Sequence, residues 1–505
     1  MKTLLSSTAL ALVAMAAAHA QETNRAADDT IVVTGTRTEG RTALQTLAPV
    51  DVISNAQLEN NGSTELAVAL NYALPSFNFP QPAISDGTDS IRPAQIRGLS
   101  PDQTLVLVNG KRRHVSALIN LNTVGRGAAA VDLNTIPTSA IGAVEVLRDG
   151  ASAQYGSDAI AGVVNVRLRE AREGGGVTLT YGENITRVDL PRSSRDVRDG
   201  QTLTIAGWAG FPLAAEGFLT VSAEYRDRSL TNRADLDTVV QFPLIGGNLD
   251  PREVQADRLQ WRHGNPESTD WTFLVNAGIP LQNGAEIYGF ASYQDRDATS
   301  FGFYRRPRQT TQVVSSIYPF GFLPQINPNV TDYSVGGGFR GDAAGWSYDF
   351  SVVHGSNEVE YYIRNSLNAS LGAASPTEFY AGSLQFNQTT VNAEGVRQIP
   401  VEAFAGPLNL AIGAEYRREN YQIGAGEEAS YTNYFQGVPG AAAGSQVFPG
   451  FQPSNERDES RDSVGVYVDL EADITTRFTL SGALRYENYS DFGDTLNAKL
   501  AGRFE

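Results

Sequence analysis

The sequence predicts an antiparallel, up-and-down membrane β-barrel, preceded by a separate α/β region. Three observations predict it. The first is alternation. In residues 464–473, Val464, Val466, Val468 and Leu470 alternate with Gly465, Tyr467, Asp469 and Glu471. In residues 478–487, Phe478, Leu480, Leu484 and Tyr486 alternate with Thr479, Ser481, Arg485 and Glu487. Period two marks a strand that is apolar on one face and polar on the other. The second is the rhythm of about twelve such strands, which fits a transmembrane barrel. Short links fall near 212–217, 281–284, 341–345, 405–407 and 474–477; long links fall near 182–200, 229–269, 298–330, 357–384 and 423–461. Short and long alternate, as short periplasmic turns and long extracellular loops do, and a secreted Greek-key sandwich has no reason to produce that asymmetry. The third is that no segment beyond the leader could cross a bilayer as a helix, which leaves a closed barrel as the way to span one.

The regions follow in order. Residues 1–20 read as a signal peptide: Lys2, an apolar run over 4–18, and Ala18-His19-Ala20 as a small-x-small cleavage site. Residues 21–46 are polar apart from one apolar island, Thr30-Ile31-Val32-Val33-Thr34-Gly35, which follows Asp28 and Asp29. Residues 47–168 read as a compact α/β unit with strands at 50–54, 94–99, 104–109, 143–148 and 163–167. A helix is predicted over 63–74, with Ser63 as N-cap, Leu66, Leu70 and Leu74 on one face, and Pro75 as its stop. Residues 175–505 read as the barrel. There, Leu410, Ile412, Ala414 and Tyr416 share the lipid-facing parity, which points Glu415 and Glu419 inward. The strand at 285–295 carries aromatics on both faces and is ambiguous in direction.

Composition narrows the function. The formal net charge of -17 argues against nucleic acid as a partner. With no cysteine, a secreted chain of this length is held by burial or by lipid and not by crosslinks. Enzyme motifs are missing. His114, His263 and His354 lack metal-ligand spacing, and Gly110-Lys111 lacks the upstream glycine of a phosphate loop. No metal and no cofactor is expected, and no covalent chemistry. The glycine triplets at 174–176 and 336–338 read as places where the barrel wall comes close to an internal unit.

Five motifs carry a family resemblance. They are Ile96-Arg97-Gly98-Leu99, Leu105-Val106-Leu107-Val108-Asn109-Gly110, Gly142-Ala143-Val144-Glu145-Val146-Leu147-Arg148-Asp149-Gly150, Ser152-Ala153-Gln154-Tyr155-Gly156 and Ala159-Ile160-Ala161-Gly162-Val163-Val164-Asn165-Val166. In kind and order they resemble the plug domain of TonB-dependent outer-membrane receptors. Asp149-Gly150 departs from the Gly-Pro usual there, a local turn change. The resemblance implies a membrane β-barrel with an internal α/β plug. It implies a receptor in the outer membrane of a Gram-negative cell, with its N-terminal segment in the periplasm. Its partners would be outer-membrane lipid, a small-molecule or oligosaccharide ligand, and TonB of the inner-membrane energising complex. Iron chelates, cobalamin and oligosaccharides are the ligand classes implied. A passive porin and a secreted β-sandwich binding protein are the alternatives. Plugged transporters of this kind have 22 strands, so about twelve read as the first part of a longer barrel, because an open sheet would leave unpaired edges in lipid.

Site residues follow from these readings. Thr30, Ile31, Val32, Val33, Thr34 and Gly35 match a TonB box in composition and position. A β-branched run between polar segments can add as a strand to a partner's sheet, though it could also be an edge strand of the plug. Arg97 and Arg148 end plug strands, where they are either solvated rim charges or ion-pair partners of Glu415 or Glu419 across the plug–barrel interface. Tyr304, Arg305, Arg306 and Tyr318 sit in an aromatic- and arginine-rich loop that is either a ligand surface or part of the aromatic girdle at the lipid boundary.

Overall fold

The computed structural model describes residues 34–38, 40–60, 62–78, 82–91, 93, 95–120 and 125–505. Thr30, Ile31, Val32 and Val33 lie outside the described residues.

The first unit contains β1 (Val50–Ser54), α1 (Asn55–Asn60), α2 (Leu66–Ala73), β2 (Phe77–Asn78), β3 (Gln95–Ile96), β4 (Thr104–Val108), β5 (Lys111–Arg112), β6 (Ile141–Leu147), α3 (Ser152–Tyr155) and β7 (Gly162–Leu168). A five-stranded sheet runs β1-β6-β7-β4-β5, with β4 and β7 parallel. Every residue of β4 is buried, which is why it reads as an unbroken apolar run. On one face Ile53, Val106, Val144, Val146, Val164 and Val166 pack with Leu58, Leu66 and Leu70 of the helices. The other face carries Val50, Leu105, Leu107, Leu147 and Val163.

Two local expectations are corrected. The helix predicted over 63–74 begins at Leu66, because the Ser63 hydroxyl closes a turn with the Glu65 N–H (3.2 Å) and caps nothing. It ends before Leu74, whose position ahead of Pro75 disfavours helical geometry. The strand predicted over 94–99 shrinks to Gln95–Ile96, because Arg97 (φ 57°) and Gly98 (φ 71°) turn left-handed.

The remainder is a 12-stranded antiparallel sheet in strict sequence order. Its strands are β8 (Gly175–Asp189), β9 (Ser194–Leu213), β10 (Gly217–Arg228), β11 (Glu267–Pro280), β12 (Glu286–Phe301), β13 (Gln325–Ala343), β14 (Trp346–Arg364), β15 (Phe379–Ile399), β16 (Leu408–Ala425), β17 (Arg457–Thr475), β18 (Phe478–Tyr489) and β19 (Gly493–Phe504). Long loops 229–266, 302–324, 365–378 and 426–456 all emerge at one end, and links 214–216, 281–285, 344–345, 400–407 and 476–477 at the other. The long link expected at 182–200 is instead a four-residue turn, because Asn184–Asp189 and Ser194–Asp199 stay paired past a bulge near Gly182.

Parity separates two chemistries. Val221, Trp271, Phe273, Val335, Val352, Ile412, Val466 and Leu484 are exposed on the outer face, as lipid requires. Glu224, Arg226, Asp270, Arg296, Arg417 and Arg485 are buried on the inner face, against the first unit. The ambiguous strand resolves in the same way: Phe290, Ser292 and Gln294 face inward, and Ile287 and Tyr293 outward. At the glycines 336–338 the nearest atoms a side chain would meet belong to wall neighbours. A Cβ on Gly336 would stand 2.5 Å from Phe290 Cζ, and one on Gly338 2.3 Å from the Tyr288 hydroxyl.

Candidate coupling and gating interface

The segment that enters the plug forms a strap between the plug sheet and the barrel wall. Thr34 is buried on the face of β6 and β7, where Glu145 and Asn165 are register partners. Its hydroxyl donates to the Glu145 carboxylate and accepts from Asn165 Nδ2 (3.0 Å). The Gly35 N–H donates to the Tyr155 hydroxyl (3.0 Å). Gly35 is required to be glycine: its φ is +80°, and a Cβ would press to 3.0 Å of Leu147 Cδ1. The next residues turn to the wall. The Thr36 hydroxyl donates to Glu471 (3.1 Å). Arg37 pairs with Glu394, donates to the Gln154 carbonyl (3.1 Å), and lies 4.6 Å over the Tyr467 ring. Arg41 binds Glu471 Oε1 and Asp473 Oδ1, each at 3.0 Å. Glu394, Glu471 and Asp473 lie toward the short-link ends of β15 and β17.

Charged contacts then fix the plug around its circumference. Arg112 of the plug meets its own Asp158 and, at 3.8 Å, Glu415 of the wall. Glu415 also accepts from Arg485 (3.3 Å), which binds Glu487 (3.0 Å). Burial pushes Asp158 up, but the guanidiniums of Arg112 and Arg417 hold it below the usual carboxylate range, so it is ionised. Arg113 and His114 both meet Asp332 of β13, the histidine at 2.9 Å. Burial pushes His114 below its ordinary value, so the ring is neutral at pH 7. Arg296 of β12 reaches plug Asp132 (2.6 Å) and the Ser90 carbonyl (2.8 Å), while holding wall Asp270. Arg228 pairs with plug Glu65, and plug Lys111 with Asp349 at 2.7 Å.

The residues singled out from the sequence fall unequally on this interface. Glu415 faces Arg112 of the plug. Glu419 pairs with Arg461 (2.5 Å) and Arg417 (3.8 Å), both in the wall. Arg97 donates to the Ala161 carbonyl (2.9 Å) and Arg148 pairs with Asp51 (2.7 Å), both inside the plug. The expectation that Arg97 and Arg148 cross to the wall is therefore corrected: the left-handed turn at Arg97 and the β1 neighbour of Arg148 take those side chains first. Among the described residues, Lys111, Arg112 and Arg113 are plug cations that do cross. Their signal was a basic run just past the Asn109–Gly110 turn that follows the buried strand β4.

The four loop candidates are engaged in loop packing. The Tyr304 hydroxyl donates to the Phe320 carbonyl. Arg305 Nε donates to Gln446 (3.2 Å) and Arg306 Nε to Asp237 (2.8 Å). The Tyr318 hydroxyl reaches the Ser366 carbonyl (3.3 Å), and its ring lies 4.5 Å from that of Phe322. Nearer the plug, Tyr361 stacks on Phe448 (5.0 Å), and the Tyr421 hydroxyl donates to the Ala117 carbonyl (3.0 Å). Phe448 and Phe451, in loop 426–456, join a cluster with plug residues Ile91 and Leu118. Nothing periodic in the sequence marked them.

Glu415→Ala removes one carboxylate from between two buried guanidiniums, each of which keeps another, Asp158 or Glu487. A cost of roughly 1–3 kcal/mol in plug retention follows. Cells carrying it should become modestly more sensitive to bulky antibiotics, whereas Tyr416→Leu on the outer face should leave them unchanged. Equal, wild-type resistance in both would mean that Glu415 does not hold the plug.

A strap entering a plug that is bound by charges to the inside of an antiparallel barrel defines a plugged β-barrel architecture. Comparison with known proteins agrees. The TonB-dependent receptor plug domain model matches residues 42–163, and the TonB-dependent receptor-like β-barrel model matches residues 270–504. The chain belongs to the TonB-dependent receptor family. It is 34% identical over 202 residues to the vitamin B12 transporter BtuB of Vibrio vulnificus, covering 40% of this chain and 30% of that one. It is 24% identical over 435 residues to the ferric enterobactin receptor PirA of Pseudomonas aeruginosa, covering 83% of this chain and 51% of that one. The crystal structure of the siderophore receptor PirA from Acinetobacter baumannii superposes with a TM-score of 0.59 at 15% identity, over 90% of this chain and 59% of that one, a likeness of fold. The chain thus spans about half the length, or less, of the relatives it matches.

Proposed function

We propose that this protein is an outer-membrane receptor that captures a scarce nutrient and imports it when TonB pulls on residues Thr30 to Gly35. The nutrient class is an iron chelate or cobalamin, in keeping with what the relatives are named for. The strap is the observation that carries the reading. Load applied ahead of Thr34 meets the plug sheet at Glu145 and Asn165, then the wall at Glu394, Glu471 and Asp473. A segment placed in this way converts a pull into displacement of the plug. The aromatic cluster of Tyr361, Phe448 and Phe451, seated on Leu118, forms the outer approach to the plug. The protein performs no covalent chemistry on its ligand. The porin and sandwich readings are not favoured: a porin lumen is open, whereas plug side chains here occupy the inner face, and a sandwich does not place charges between a sheet and an internal domain.

Val32→Pro removes a backbone donor and blocks strand addition to a partner. Uptake of labelled cobalamin or ferric siderophore is expected to be abolished, while binding to the same cells stays at wild type. Normal uptake at normal expression would remove the coupling role from this segment.

A further inference from the structure

We infer that Asn165 is a positioning residue that joins the strap to a distant plug–wall contact. The inference rests on the strap being the pulled segment, and it names the side chain through which a pull reaches the other side of the plug.

Asn165 lies in β7, is 1% exposed, and uses both ends of its amide. Its Nδ2 donates to the Thr34 hydroxyl (3.0 Å), and its Oδ1 accepts from the Gly110 N–H (2.9 Å). Gly110 and Asn109 form the tight turn between β4 and β5, with φ of +75° and +48°. That turn is itself bound to the wall. Asn109 Nδ2 donates to Asn276 of β11 (3.1 Å), and Lys111 Nζ donates to Asp349 of β14 (2.7 Å). The strap's own wall contacts lie on different strands, β15 and β17. One buried amide therefore stands between the entering segment and wall contacts that the segment does not touch itself. A primary amide suits the position, because it presents a donor and an acceptor on opposite sides of one rigid group. When Thr34 leaves, Nδ2 loses its acceptor on a side chain that is 1% exposed while the strap is in place. An unmet buried donor is costly, so the amide is driven to reorient, and reorientation takes Oδ1 from Gly110. Extraction of the strap then loosens the turn before any load reaches it through the backbone.

Hydrogen exchange on the intact receptor, without energisation, tests this apart from the uptake reading. Thr34→Val keeps the shape of the side chain and removes the hydroxyl. It is expected to speed exchange in the strap and also at Gly110, by about fivefold, the factor that ~1 kcal/mol supplies. Tyr155→Phe frees the Gly35 N–H without touching Asn165, so it should speed exchange in the strap alone. Thr34→Ser restores the hydroxyl and should return Gly110 to its wild-type rate. An unchanged Gly110 rate in Thr34→Val, or an equal rise in Tyr155→Phe, would overturn the inference. If uptake proved not to need residues 30–35, the uptake reading would fail while these exchange results stood.

Discussion

Asp332→Ala is expected to loosen the plug more than any change on the outer face of the barrel. Asp332 stands on the inner face of β13 and is the acceptor for the plug's Arg113 and for His114 Nε2 (2.9 Å); Asn357 of the wall binds it as well (2.9 Å). Removing it leaves a buried guanidinium with, among the described residues, the Ser292 and Thr135 hydroxyls as its side-chain partners. An uncompensated buried charge costs roughly 3–5 kcal/mol, far more than the net value of the pair it once made. That energy comes out of the contact between plug and wall. Cells should lose their barrier to antibiotics too large for porins, and the purified receptor should release its plug at lower denaturant. Asp332→Asn, which keeps an acceptor, should show a smaller effect of the same sign. Wild-type resistance in Asp332→Ala would mean that water solvates Arg113 when the carboxylate is gone.

Arg296→Met should cause a loss of similar size by the opposite charge logic. The arginine lies between plug Asp132 and wall Asp270, and all three side chains are 2% exposed. Methionine fills much of the volume but takes the shared cation from two buried carboxylates, of which Asp270 keeps Arg226 at 3.5 Å. The Ser90 carbonyl loses its donor as well. The expected cost is again roughly 3–5 kcal/mol. The paired variant Arg296→Met with Asp132→Asn should recover part of it, since one of the two charges is removed. If the double variant is no better than the single one, the arginine acts by packing and not by charge.

These residues show where sequence reasoning reached and where it stopped. Strand parity was readable because lipid and plug demand opposite chemistries from neighbouring residues. Glu415 and Tyr416 could thus be placed on opposite faces without coordinates. Strand β8 was missed past Gly182 because it is exposed on both faces for most of its length, so no apolar alternation marks it. Arg97 and Arg148 were misplaced because the partner of a strand-end charge depends on turn geometry, and the positive φ at Arg97 cannot be read from composition. Lys111, Arg112 and Arg113 reach the wall from a short strand and the residue after it, behind the Asn109–Gly110 turn, and only the coordinates show Asp349, Glu415 and Asp332 waiting there. The loop aromatics belong to contacts between segments far apart in the chain, such as Tyr361 with Phe448, and no local pattern encodes those.

The central claim is that ligand moves only when the plug is pulled from the inner membrane. Its most direct test measures binding and uptake of labelled cobalamin or ferric siderophore in the same cells, before and after a protonophore collapses the proton gradient. The account predicts that surface binding is unchanged and that uptake falls to background, as in cells lacking TonB. Uptake that continues at its full rate after collapse would contradict it, because the ligand would then be passing a plug that nothing had moved.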